Sequence, residues 1–116
     1  MAGFQNGFEV LDETTYTTVS SVNDDVVLDG SLMYVTPANN NDAITGLTGG
    51  IAGARIIIVN VDPTNSLVIK HDDAGSTAEN RILIYNGADV TIPPFEALEL
   101  GYASTDSRWH SIKSAI

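Results

Sequence analysis

RIIIVNVDPTNSLVIK, residues 55–70, reads as two strands joined by a turn. Ile56, Ile57, Ile58 and Val59 before the turn, and Val68 and Ile69 after it, are β-branched. Such side chains are stiff in a helix and pack well on a pleated sheet. Between them stands Asp62–Pro63–Thr64–Asn65, where the proline presets φ near about −65° and Asp or Asn side chains bond the turn backbone. Runs of the same kind lie on both sides: VVLDGSLMYVT (26–36) before, and RILIY (81–85), DVTIP (89–93), ALELGYA (97–103) and RWHSI (108–112) after. Short β-type runs at this spacing imply a sandwich or barrel.

Punctuation argues against helices. Pro37, Pro63, Pro93 and Pro94, with Gly46, Gly49, Gly50 and Gly53, leave room for at most one helical turn at 41–48. Asn86–Gly87, between RILIY and DVTIP, is the strongest short hairpin signal, because both central residues of a type I′ turn need positive φ. Residues 55–93 therefore read as an antiparallel meander. In 81–85, Ile82 and Ile84 share one face while Arg81, Leu83 and Tyr85 share the other, so both faces are partly apolar and an oligomer is implied. The fold class expected is all-β: a single antiparallel β-sandwich or barrel, jelly-roll-like, over 26–116. Residues 1–25 are polar, with six Ser and Thr between 14 and 21, and read as an extended N-terminal arm that orders against a partner.

Composition fits strands and turns and excludes several functions. Charged residues are only 17% of the 116, with no cysteine, so neither disulfides nor a thiolate metal site contribute. The net charge is −10, and Arg55, Lys70, Arg81, Arg108 and Lys113 are too scattered for a phosphate-binding stripe, so nucleic acid is not expected as a partner. No apolar run reaches the roughly 20 residues of a membrane span, and MAGFQNGFEV lacks the pattern of a signal peptide, so a protein made in the cytoplasm and free of membrane is expected.

The stretch HDDAGSTAENRI (71–82) contains the residue types of a Ser–His–Asp system in His71, Asp72, Asp73 and Ser76. Strand neighbours point to opposite faces, however, and triads are assembled across a fold rather than within five residues, so the reading is a turn over 72–79 with no catalytic residue. Asp24–Asp25, Asn39–Asn40–Asn41–Asp42 and Asp72–Asp73 offer hard oxygen ligands, but none fits the spaced calcium-loop pattern, and no metal is expected. GLTGGIAG (46–53) lacks the Walker lysine and a following helix, so no phosphate cradle or cofactor is expected. Trp109 in its apolar strand reads as core, and Asn80 and Arg81 read as ties from the loop to a neighbouring strand or subunit.

Residues 44–112 carry an ordered set of features: ITGLTGGIAGARIIIVNV, then SLVIKHDDAGSTAENRI, then NGADVTIPPFEALELGYASTDSRWHSI. The set resembles a β module that recurs in virion proteins of tailed bacteriophages, including tail fibres and capsid-attached proteins. Its most specific pieces are the glycine run, the Lys70, His71, Ser76, Asn80, Arg81 and Ile82 series, and the closing Tyr102, Ser107, Arg108 and Trp109. This chain has Pro93–Pro94–Phe95–Glu96 where the family often places Pro-Gly. The resemblance implies a structural, non-enzymatic virion component, usually trimeric. One module with a short arm is better matched to a capsid decoration, or cement, protein than to a tail fibre with its long stalk. The expectations are a homotrimer on the capsid exterior with the major capsid protein as partner. Phe4, Phe8, Val10, Leu11 and Tyr16 are the candidate capsid contacts of the arm, and Asn80, Arg81, Arg108 and Trp109 the candidate structural or trimer contacts. The other reading is a receptor- or glycan-binding module of a tail fibre or tail tip, with recognition on loops 72–79 and 103–107.

Overall fold

The computed structural model describes residues 3–5 and 8–112, with side chains from Val10 onward. Two short strands come first, β1 (Gly3–Gln5) and β2 (Phe8–Val10), antiparallel to each other. The chain then winds in coils. β3 (Glu13–Thr17), β4 (Val22–Asn23) and β5 (Val26–Val27) form the first coil, and β6 (Leu32–Thr36), β7 (Asp42–Ile44) and β8 (Leu47–Thr48) the second. β9 (Arg55–Asn60) and β10 (Leu67–Ile69) open a third, which continues through a loop with a 3-10 turn at Ala78–Asn80 into β11 (Ile82–Leu83). β12 (Val90–Ile92), β13 (Ala97–Ala103) and β14 (Arg108–Ser111) complete the described chain.

The coils stack in parallel. Leu32 of β6 lies between Glu13 of β3 and Ile57 of β9, Ala43 of β7 between Val22 of β4 and Val68 of β10, and Leu47 of β8 beside Val26 of β5. Strand alternation sends every second side chain inward, so stacking produces interior columns. Thr14, Met33 and Ile58 form one by register, Tyr16, Val35 and Asn60 a second, and Asn23, Ile44 and Ile69 a third. Met33, Val35, Ile44, Leu47, Ile58 and Ile69 are all at most 1% exposed. Burying each such side chain contributes about 1.5–3 kcal/mol relative to leaving it in water. The third coil is then covered by strands of opposite direction: β12 runs antiparallel to β10, and β13 to β9. β14 pairs antiparallel with β13 and parallel with β11, which places Trp109, 1% exposed, beside Ile82.

The chain is thus all-β, with no α-helix among the described residues. Its sheets are mixed and solenoid-like, and this corrects the expected antiparallel sandwich. The meander over 55–93 is absent: β9 and β10 belong to different sheets, as do β11 and β12. The physical reason lies at the corners. Asn60, fully buried, donates from Nδ2 to Asn65 O and Ile92 O, both at 2.9 Å, and accepts the Asp62 N–H. These bonds hold 61–66 as a bend into the next sheet, and the Asp62 carboxylate caps the Thr64 and Asn65 amides within it. Asn86–Gly87 does form a turn, with the Gly87 N–H on Ile84 O and φ of 73° at Gly87. A hairpin there would withdraw Ile82 and Ile84 from the core, a loss larger than one turn's local preference.

The arm expected over 1–25 meets a different structure from Glu13 on, because residues 13–25 contribute β3 and β4 of the first coil. Tyr16 packs inward against the core and donates its hydroxyl to Asn23 Oδ1 at 2.9 Å. Thr18 and Asn23 are each 3% exposed.

Replacing Asn60 with Ala leaves the buried carbonyls of Asn65 and Ile92 without donors. The expected loss is about 2–4 kcal/mol, read as a lower melting temperature by circular dichroism with the β spectrum retained at low temperature.

Candidate functional site

The loop 71–82 folds back over the corner where β4 leads to β5 and β7 to β8. Asp25 is the centre of the junction. It sits at φ 46°, a conformation that favours Gly, Asn or Asp, and its N–H donates to Ser76 Oγ at 2.9 Å. Its Oδ1 accepts the Thr77 N–H and Asn80 Nδ2, both at 2.9 Å. Asn80 Nδ2 also reaches the hydroxyls of Thr77 and Thr48. Next to it, Thr45 Oγ1 donates to Asp24 Oδ1 at 2.5 Å and lies 2.7 Å from Ser76 Oγ. Since the Thr45 proton goes to Asp24, the Ser76 hydroxyl donates to Thr45, and the bonds run in one direction from the Asp25 amide through Ser76 and Thr45 to the Asp24 carboxylate.

Glycine makes this approach possible. A Cβ on Gly46 would meet the Ser76 side chain and stand 2.6 Å from Asn80 O, and one on Gly75 would stand 2.5 Å from Asp24 Oδ1. A Cβ on Gly50 would run into the Tyr102 ring, which packs edge-on to Trp109 with centroids 5.1 Å apart and donates its hydroxyl to Glu79 O. The glycine run 46–53 is therefore a surface against which the loop and β13 are seated.

The residues that shared a catalytic alphabet are held apart. His71 Nδ1 accepts the Ile84 N–H at 2.8 Å, so in this arrangement that nitrogen carries no proton, and the His71 amide donates to Asp89 Oδ1. Ser76 belongs to the Asp25 junction, and the Asp73 carboxylate accepts the Gly75 N–H. Among the described residues no group of three or more His, Asp or Glu side chains converges as a metal site. The Asp42 carboxylate accepts the Thr18 hydroxyl at 2.6 Å and the Asn39 amide at 3.0 Å.

Of the candidate contacts, Asn80 and Arg81 lie in the junction, with Arg81 Nε donating to Ser76 O at 3.0 Å. Arg108 bonds the carbonyls of Asp106 and Ser107, and Trp109 Nε1 donates to Leu47 O at 3.0 Å inside the core. Val10 is 45% exposed and Leu11 half-buried, while the side chains of Phe4 and Phe8 lie outside the described residues. Asp25, Thr45, Asn23 and Asn60 were not singled out for these roles by the sequence, and Asp25 binds loop residues 51 to 55 positions away, where no local pattern reveals it.

Two surface features remain. One corner carries exposed apolar side chains, Val19 at 84%, Val61 at 37% and Phe95 at 70%. The pairing of Thr17 with Thr36 and the bonds from Val61 N to Val35 O and Phe95 N to Asn60 O bring these segments to the same corner. Phe95 stands at φ 67°, a strained state for a bulky side chain. A groove of about 270 Å³ lies elsewhere, with Asp29 and Arg55 beside Ile56 and Trp109. No known protein family, curated protein or solved structure matches this chain.

Hydrogen bonds from Asn80 and then Thr77 hold the Asp25 carboxyl below the ordinary aspartate value of 3.8, and the His71 amide and then the Lys70 side chain do so for Asp89. A folded-state value below the unfolded one gives stability that is present above the unfolded value and is lost as pH falls through the folded one. The midpoint of urea unfolding is expected to fall below about pH 4. Asp25→Asn should lower the midpoint at pH 7 and flatten that acid limb.

Proposed function

We propose that the chain is a structural virion protein that binds the outer surface of a bacteriophage capsid and stabilises it as a homotrimer. The observation that carries the reading is where the phage-like features fall. Gly46, Gly50, Asn80, Arg81, Tyr102 and Trp109 are the residues that lock loop 71–82 and β14 onto the coils. The module's identifying residues are thus its architecture, as suits a part that bears load rather than turns over substrate. The exposed corner of Val19, Val61 and Phe95 supports self-association, since it is apolar in a chain of net charge −10. Residues 1–11, with Phe4, Phe8, Val10 and Leu11, precede the first coil and supply the reach toward the major capsid protein. Excess carboxylate is tolerable outside the shell, away from packaged nucleic acid.

The groove with Asp29 and Arg55 on its lining favours a second reading, a receptor- or glycan-binding module of a tail fibre or tail tip, because a carboxylate and a guanidinium in a concave site can bond sugar hydroxyls. Electron microscopy with gold-labelled protein separates the two: label on expanded capsids supports decoration, label on tail tips or host cells supports the alternative, and label on neither counts against both.

Removing residues 1–11 should abolish capsid decoration and leave a folded trimer. Removing 1–25 should unfold the protein instead, because it takes away β3, β4 and the Asp25 junction. Phe95→Gly relieves the positive φ at that residue, so the melting temperature of the subunit should stay within a few degrees while sedimentation shows loss of trimer.

A further inference from the structure

The geometry points to the outer edge of β3 as a site where an extended, basic strand from another protein adds to the sheet. This does not rest on the capsid reading. Leu32 N–H bonds Asp12 O at one end of β3 and Thr18 N–H bonds Thr36 O at the other. In a parallel ladder the bonding residues alternate, so the even residues from 12 to 18 serve β6. The N–H and C=O groups of Glu13, Thr15 and Thr17 therefore face away from it. β3 is an end strand of its six-stranded sheet, and among the described residues no strand pairs with that edge.

The other first-coil strands are poorer sites. β4 and β5 are two residues each, and the Val22 carbonyl already accepts the Ser20 hydroxyl. At the opposite end the end strands are β12 and β11, three and two residues long against five for β3. An edge with three outward residues and no partner among the described strands is a template for strand addition.

Charge selects the occupant. Residues 1–54 contain seven carboxylates and no Lys, Arg or His, whereas all seven basic or imidazole side chains follow from Arg55 on. Asp12 and Glu13 lie at the start of the edge, and Asp29 lines the same groove as Asp12. A second copy meeting edge to edge would bring together two segments 1–54, each with seven carboxylates and no Lys, Arg or His side chain, so self-pairing is disfavoured. Exposed Val22 and Val27, at 47% and 66%, add apolar surface to the same end of the coils. The partner that fits is an extended segment in which Lys or Arg alternates with β-branched residues.

The test uses the full chain and a fluorescein-labelled peptide of alternating Lys and Val, with a Glu and Val peptide as control. Anisotropy should show binding of the Lys peptide only, weaker at high salt. Thr15→Pro removes an outward N–H and crowds the edge, and should weaken binding about tenfold or more with an unchanged circular dichroism spectrum. Glu13→Lys should weaken it as well. Amide exchange on the unmutated protein reads the edge directly: the Glu13, Thr15 and Thr17 amides should exchange freely alone and become protected with peptide. Unchanged exchange at these three, equal binding of the Glu peptide, or a dimer formed through this edge would overturn the proposal.

Discussion

Everything in this fold depends on one coil lying on the next. A single turn of the chain carries only a few inward side chains, and none can leave water until another turn covers it. Met33 and Val35 are buried because β3 and β9 lie on either side of β6, and Ile44 because β4 and β10 flank β7. The parallel ladders set the spacing, and the columns of Ile, Val and Leu supply the favourable energy. The corners must then be bent without orphaning buried backbone groups. Two buried asparagines do this. Asn23 bonds Ser20 O and Ala43 O, and Asn60 bonds Asn65 O and Ile92 O, so each amide side chain replaces ladder partners lost at a bend.

A stack of coils also has two ends, and the chain treats them differently. At the third coil it reverses, laying β12 and β13 antiparallel over the exposed ladder and tucking Trp109 into the space between coils and return. At the first coil no strand among the described residues pairs with the outer edge of β3. The loop 71–82 binds these two halves, carrying Ser76, Thr77 and Asn80 from the third coil to Asp25 of the first. It is long and polar because it must cross two coils and satisfy their corner on the way.

The strand character of the chain was legible because it is local: β-branched runs, prolines and glycines act on their own neighbours. The pairing was not. Leu32 follows its partner Glu13 by 19 residues, but Ile57 follows Leu32 by 25, so no fixed period marks the coils. Asp62–Pro63–Thr64–Asn65 has the chemistry of a hairpin turn and serves as a corner, since a turn signal does not say whether the strands it joins will pair. The Ser and Thr of 14–21 suggested an arm, yet Thr14, Tyr16 and Thr18 turn inward, because a first coil needs fewer apolar side chains than one covered on both sides. For the loop, the turn at 72–79 and the tying role of Asn80 and Arg81 could be read from residue type. The Asp25 partner of Thr77 and Asn80 could not, since it lies more than 50 residues away.

The parallel stacking of coils is the claim on which the rest stands, and through-space proton contacts in a nuclear magnetic resonance spectrum report it most directly. Cross-strand contacts are predicted between the backbones of Thr15 and Tyr34, of Tyr34 and Val59, and of Ala43 and Val68. An antiparallel pattern joining 55–60 to 67–69 across the Asp62–Asn65 turn, without those parallel contacts, would contradict it.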